Sequence, residues 1–249
     1  MRNISASGSK EIIIEEDSAV KVENGSDLLV IIKPTKNTEI ELDVGEKCKV
    51  RSYIFQKENV EITQTNHIGS GSEIYCNSIW ISGGAGKITN ILEGEKSQAH
   101  DIHIFSENGS DTFNLDARLT HNGKNTAGKI IVKGIVHDSA TANLDGMIKI
   151  GKGGSGAESI LKEQVMLLGP KAHATAKPEL EIENNDVNST HAASVSAIDE
   201  NKIFYLMARG IARKEAEKMI VTGFLDSGIN QIPDENMKNK FLETIHEHL

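Results

Sequence analysis

Between residues 11 and 196 the apolar residues come in short runs that alternate with polar ones. "EIIIEE", "DLLVIIK", "EIELDV", "KVRSYIF", "EIYCNSIWIS", "KIIVKGIV" and "MIKI" keep the period of two that a strand imposes on its two faces. Gly, Asn, Asp and Ser close the runs, as in "ENGSD", "HIGSGSE", "HNGKN" and "GKGGSG", and this is turn chemistry. The pattern predicts many short strands. No strict repeat of the leucine-rich or hexapeptide kind is visible, so a sandwich, a barrel and an irregular β-helix all satisfy the periodicity.

After residue 197 the period changes. Asp199 can cap a helix in which Ile203, Leu206 and Met207 fall at i, i+3 and i+4, and Gly210 marks its stop. A second helix reads through "RKEAEKMIVTGFL", with Ala216, Met219, Ile220 and Phe224 on one stripe and Gly223 weakening its last turn. A third starts with Pro233 in its first turn and lines up Met237, Phe241, Leu242 and Ile245. The expected division is a β body over 1–196 and a helical subdomain over 197–249.

Composition narrows the choice. Aromatic residues make up only 4%, with Trp80 alone of its kind, while glycine reaches 22. One central core of this size would use more rings, whereas stacked coils of small and β-branched residues do not need them. The net charge of −9 gives no basic footprint and argues against nucleic acid as a partner. Cys48 and Cys76 stand without a CxxC partner. "MRNISASGSK" is no apolar leader, and no apolar run is long enough for a membrane span. Reduced structural thiols in a cytoplasmic protein are expected. Alternation places Cys76 with Ile74, opposite Tyr75, as a small buried hydrophobe. Neither a phosphate-loop motif, a nucleophile elbow nor an HExxH zinc motif occurs, and His100 and His103 point to opposite faces of one strand.

The stretch "LLGPKAHATAKPELEIENNDVNSTHAASVSAIDENKIFYLMARGI", residues 167–211, resembles the core of the SufB/SufD family, the β-helical components of the SUF iron–sulfur assembly machine. The resemblance is carried by "LLG" with the Lys-Ala pair after it, "KPELEI", Asp186–Val187, "THAA" and "FYLMARGI". Upstream, "HNGKNTAGKIIVKGIVHDSATANLDGMIKIGKGGSGAES" is similar to the family's strand-rich segment, and residues 10–120 match in character only. The resemblance implies a right-handed parallel β-helix with a C-terminal α-helical subdomain. It implies a SufC-type ABC ATPase docking on the helices, and edge-to-edge pairing as a homodimer or with a SufB/SufD paralogue. Family members commonly carry a helical region before the β-helix; with strands beginning near residue 11, a minimal form is expected.

In the SufB branch a nascent cluster is associated with a cysteine upstream of "LLG" and a His-Glu pair at the hinge. Through those motifs the cysteine position is Glu163, the histidine is His191 and the glutamate position is Ala192, a pattern closer to the SufD branch. His191 is then an iron ligand, or else a histidine hydrogen-bonded at a seam. Glu163 is a second ligand or a solvated surface charge. His173, Cys48 and Cys76 are further metal candidates. For His173 the alternative is a rung edge facing water, and the cysteines reach a cluster only across a subunit interface or if the first coils fold back. Ile203, Phe204, Tyr205, Met207 and Arg209 are the expected ATPase contacts, with part of that stripe packing on the β-helix end. The implied function is a non-enzymatic scaffold for a transient iron–sulfur cluster, or a SufD-like partner that aids iron entry without holding one. A β-helical carbohydrate-active enzyme is a poor third, since one Trp and three Tyr make few sugar platforms.

Overall fold

In the computed structural model, which describes residues 1–249, sixteen strands from β1 (Arg2–Ala6) to β16 (Val187–Ala197) alternate between two sheets. The odd-numbered strands form one eight-stranded sheet and the even-numbered strands the other. The neighbours pair in parallel, so the chain climbs as a coil with one strand per sheet per turn: a parallel β-helix. Strands begin at Arg2, ahead of the expected start near residue 11.

The alternation works as the pattern predicts. In β5 (Thr38–Val44) every second residue is buried and the others face out. The inward residues build one lumen core of 39 buried side chains, mostly Ile, Val, Leu and Ala. Each coil packs on the next, which is why so few rings suffice.

The turns into the even strands hide a repeat. Gly25, Lys47, Gly71, Lys96, Asn125 and Gly156 all adopt left-handed backbone, with φ between 54° and 73°. Each donates its N–H to a carbonyl in the equivalent turn one coil later: Glu46, Ser70, Glu95, Lys124, Ser155 and Asp186. The next residue is always small and buried: Ser26, Cys48, Ser72, Ser97, Thr126 and Ala157. The repeat escapes a fixed-period search because the coils lengthen. In-register partners lie 22 residues apart at Asp27–Lys49 and 31 apart at Ala127–Glu158.

The lumen is not wholly apolar. β6 (Lys49–Gln56), β7 (Glu61–Ile68), β8 (Glu73–Trp80), β9 (Gly84–Leu92) and β10 (Gln98–Glu107) send a polar ladder inward. Gln64 pairs with Ser52 and donates to Asn66 at 2.9 Å, Asn66 donates to Asn90 at 2.8 Å, and Asn90 donates to Asp101 at 2.7 Å. Trp80 donates to Ser78, and Ser78 pairs with His103 Nδ1, both at 2.6 Å. Burial pushes the Asp101 carboxyl well above its ordinary range and lowers His103 to about 3, so both favour the neutral form. A buried polar group without a partner costs free energy, so this ladder ties the coils to one register. Beyond it β12 (Ala127–His137) turns Ile130, Val132 and Val136 into the lumen.

Three helices follow: α1 (Glu200–Met207), α2 (Arg213–Ile229) and α3 (Glu235–His248). Asp199 caps α1 by accepting from the Asn201 N–H, and Gly210 supplies the left-handed turn after it. α2 and α3 lie on the outer face of the even sheet. There Ile31, Tyr53, Ile79 and Ile104 meet Val221, Leu225, Ile229 and Phe241 in a second core. Phe241 stands edge-on to Phe55 at 5.0 Å and to Tyr53 at 6.1 Å. The stripe of α2 differs from expectation. Ala216 is buried, but so are Val221, Leu225 and Ile229, while Met219 is half exposed. The helix runs through Gly223 to Ile229, and Gly228 seats it on Ile104, where a Cβ would come within 2.9 Å. Tertiary seating, not local periodicity, chose the buried face. The helical segment thus shares a core with the β-helix. No helix is long and apolar enough to cross a membrane.

Candidate metal-acceptor edge

β16 is the last even strand, and one of its edges has no neighbour. Its register on β14 (Ala157–Leu168) sets Ser189 on Ser159, His191 on Leu161 and Ala193 on Glu163. The hydroxyls of Ser159 and Ser189 meet at 2.9 Å, and Val187 packs on the lumen core. The odd residues of β16 therefore face the lumen side. His191 stands at the mouth of the lumen, exposed because no further coil covers it.

Glu163 lies one coil deeper. It is not the solvated surface charge that one reading of the sequence allowed: it is 1% exposed, and its Oε2 has no hydrogen-bond partner. Inward alternation on β14 buries it, as it buries Leu161 and Val165. Burial, with Asp145 adding to it, raises the carboxyl to about 7. Glu163 and His191 are diagonal neighbours on one face of this parallel pair. The fold thus sets on one face of adjacent strands the two residues that stand at the cysteine and histidine positions.

The other candidates lie elsewhere. His173 opens β15 (His173–Ile182), where Ala174, Ala176 and Leu180 pack on the lumen core, so His173 faces away. Cys76 is fully buried four even strands from β16, in register with Ser52 and Asp101. Burial and Asp101 push its thiol well above the ordinary range. Cys48 occupies the turn ladder at the place of Ser72 and Ser97, with its Sγ 3.2 Å from the Glu23 carbonyl. Both thiols are free and buried. Ala192 faces away from the lumen side. Nowhere do three His, Cys, Asp or Glu side chains converge as a metal site. His191 at the edge and Glu163 one strand in are both ligand-type side chains, and neither is a thiolate.

The sequence matches the SUF system FeS cluster assembly, SufBD core domain over residues 4–224. The chain belongs to the SufB/SufD family. It is 34% identical to the iron–sulfur cluster assembly protein SufD of Bacillus subtilis over 157 residues, 63% of this chain and 36% of that protein. It is 30% identical to SufB of the same organism over 162 residues, 63% of this chain and 35% of that one. A SufBD-family assembly protein of Synechocystis sp. is 32% identical over 145 residues, 58% and 30% of the two chains. The chain spans about a third of the length of the curated relatives it matches.

The SufB/SufD core match includes Glu163, His191 and all of α1. That helix separates the expected ATPase contacts. Ile203 is fully buried, so it supports the helix and is not available as a contact, a correction that follows from α1 turning this side inward. Phe204 is 72% and Tyr205 56% exposed, Met207 is exposed too, and Arg209 stacks on Tyr205 at 4.3 Å. Tyr205, Leu206 and Ile220 line a notch between α1 and α2, with Met219 exposed on α2. Large apolar side chains of this short helix are thus left in water.

Proposed function

We propose that this SufB/SufD-family protein is a non-enzymatic subunit of a SUF-type complex that receives iron, or a nascent iron–sulfur cluster, as cargo at the open edge of β16. The observation that carries this reading is the placement of His191, exposed at the lumen mouth, one diagonal from Glu163. A neutral imidazole and a carboxylate are competent iron ligands, though clusters favour thiolate. Two ligands do not complete a site. The unpaired edge offers the rest, because a second SufB/SufD-type chain pairing there would bring its own donors to the same place and cover the exposed strand. This favours the SufD-like half-site over a scaffold that holds a stable cluster alone. The exposed side chains of α1 would dock the SufC-type ATPase, a few residues downstream of β16.

The test is iron and acid-labile sulfide per protomer after anaerobic reconstitution. The protein is measured alone, with its ATPase, and with ATPase and a paralogous chain, each beside His191→Ala. Iron retained only in the paired assembly and lost in the variant supports the half-site. A stable cluster on the chain alone favours the scaffold. Iron uptake indifferent to His191 refutes the assignment of the edge.

A further inference from the structure

Gly146 lies mid-strand in β13 (Thr141–Ile150), on the sheet facing Glu163 across the lumen. Its backbone is not left-handed, so no turn requires glycine there. A strand-interior glycine is destabilising against alanine, so its presence calls for a steric reason. A Cβ at Gly146 would fall 2.6 Å from Glu163 Oε1 and 2.9 Å from Leu161 Cδ1. The missing methyl is the space in which the Glu163 carboxyl lies.

The register neighbours of Glu163 on its two sides differ in bulk and burial. Val132, in register on the inner side, and Leu161 and Val165 along the strand are buried and close-packed. On the outer side the register partner is Ala193, small and exposed, with His191 two residues before it. On this outer side, toward the edge that carries His191, that carboxyl has its smallest register neighbour.

We propose that Gly146 is a positioning residue: by leaving room in the lumen it holds Glu163 folded inward, away from His191, and so limits the uptake of a divalent cation at the β16 edge. Ala193 is the small residue that keeps the outward path open. The inference rests on the reading of His191 and Glu163 as metal acceptors, and it adds what sets their separation.

The test titrates the chain anaerobically with Co(II), following the ligand-field absorption that reports coordination by imidazole and carboxylate. Gly146→Ala is expected to tighten Co(II) binding by about tenfold, the scale on which supporting residues act on metal affinity. Adding Glu163→Gln to Gly146→Ala should cancel the gain and bring binding below the wild-type level, which a general loosening of the lumen would not do. Ala193→Leu, at an exposed site that tolerates bulk, should weaken binding without lowering the melting temperature, and it decides the matter if Gly146→Ala fails to fold. Binding unchanged in both Gly146→Ala and Ala193→Leu, or a gain that survives Glu163→Gln, overturns the role of Gly146. If wild type already binds as tightly as Gly146→Ala through Glu163 and His191, the edge reading stands and the positioning inference fails. If no variant binds Co(II), the positioning inference fails; if His191→Ala leaves binding intact, both fail.

Discussion

Glu163→Gln isolates the cost of the carboxyl that the fold buries. The folded protein holds the Glu163 proton up to about pH 7, while a carboxyl with its ordinary value of 4.5 releases it earlier in the unfolded chain. Between those values the folded state binds more protons, so stability falls as pH rises, and above pH 7 the loss is complete. At about 1.4 kcal/mol per pH unit, that window amounts to about 3 kcal/mol. Glutamine has the shape of the protonated acid and no charge to bury. The variant should match wild type near pH 4.5 and exceed it by about 3 kcal/mol at pH 8. The assay is urea unfolding followed by circular dichroism at pH 4.5, 6, 7 and 8, with the two proteins compared at each pH. Glu107, also buried and raised to about 7, contributes equally to both and cancels in the difference. A difference that stays flat across this range would show that Glu163 is solvated in solution and would sink the argument for its burial.

Four further outcomes follow from the packing. Phe241→Ala removes the ring seated against Phe55 and Tyr53 and should cost about 3–5 kcal/mol in thermal or urea unfolding; a loss under 1 kcal/mol would mean α3 is not anchored there. Gly134→Ala puts a Cβ 2.1 Å from the Phe105 ring and should destabilise the protein by about 1–3 kcal/mol, read from the melting temperature. Cys48 and Cys76 should not react with a thiol reagent until denaturant is added, and rapid labelling of the native chain would contradict their burial. The pair Phe204→Glu and Tyr205→Ala should leave the melting temperature unchanged while weakening binding to the SufC-type ATPase at least about tenfold by calorimetry; unaltered affinity moves the docking surface off α1.

The local chemistry of the chain was legible in its sequence. Period-two runs and Gly/Asn/Asp/Ser turns announced the strands, Asp199 and Gly210 bounded α1, and the motifs around His191 pointed to the family, because these depend on near neighbours. What the sequence left open are matters of partners one coil away. Alternation says that Glu163 and Lys162 face opposite ways but not which side is the lumen, and a lumen that already holds Gln64, Asn66, Asn90 and Asp101 gives polarity little power to decide. Cys48 looked like a candidate ligand until the stacked turns showed it in the place of Ser72 and Ser97. The inward face of α2 was settled by where Gly228 meets Ile104, not by its own stripe. The diagonal of His191 and Glu163, and the gap at Gly146 that receives the carboxyl, exist only through the register of coils whose partners lie about 30 residues apart at this end. That spacing drifts along the chain, so hydrogen bonds between coils and packing in the lumen, rather than any sequence period, fix which side chains meet.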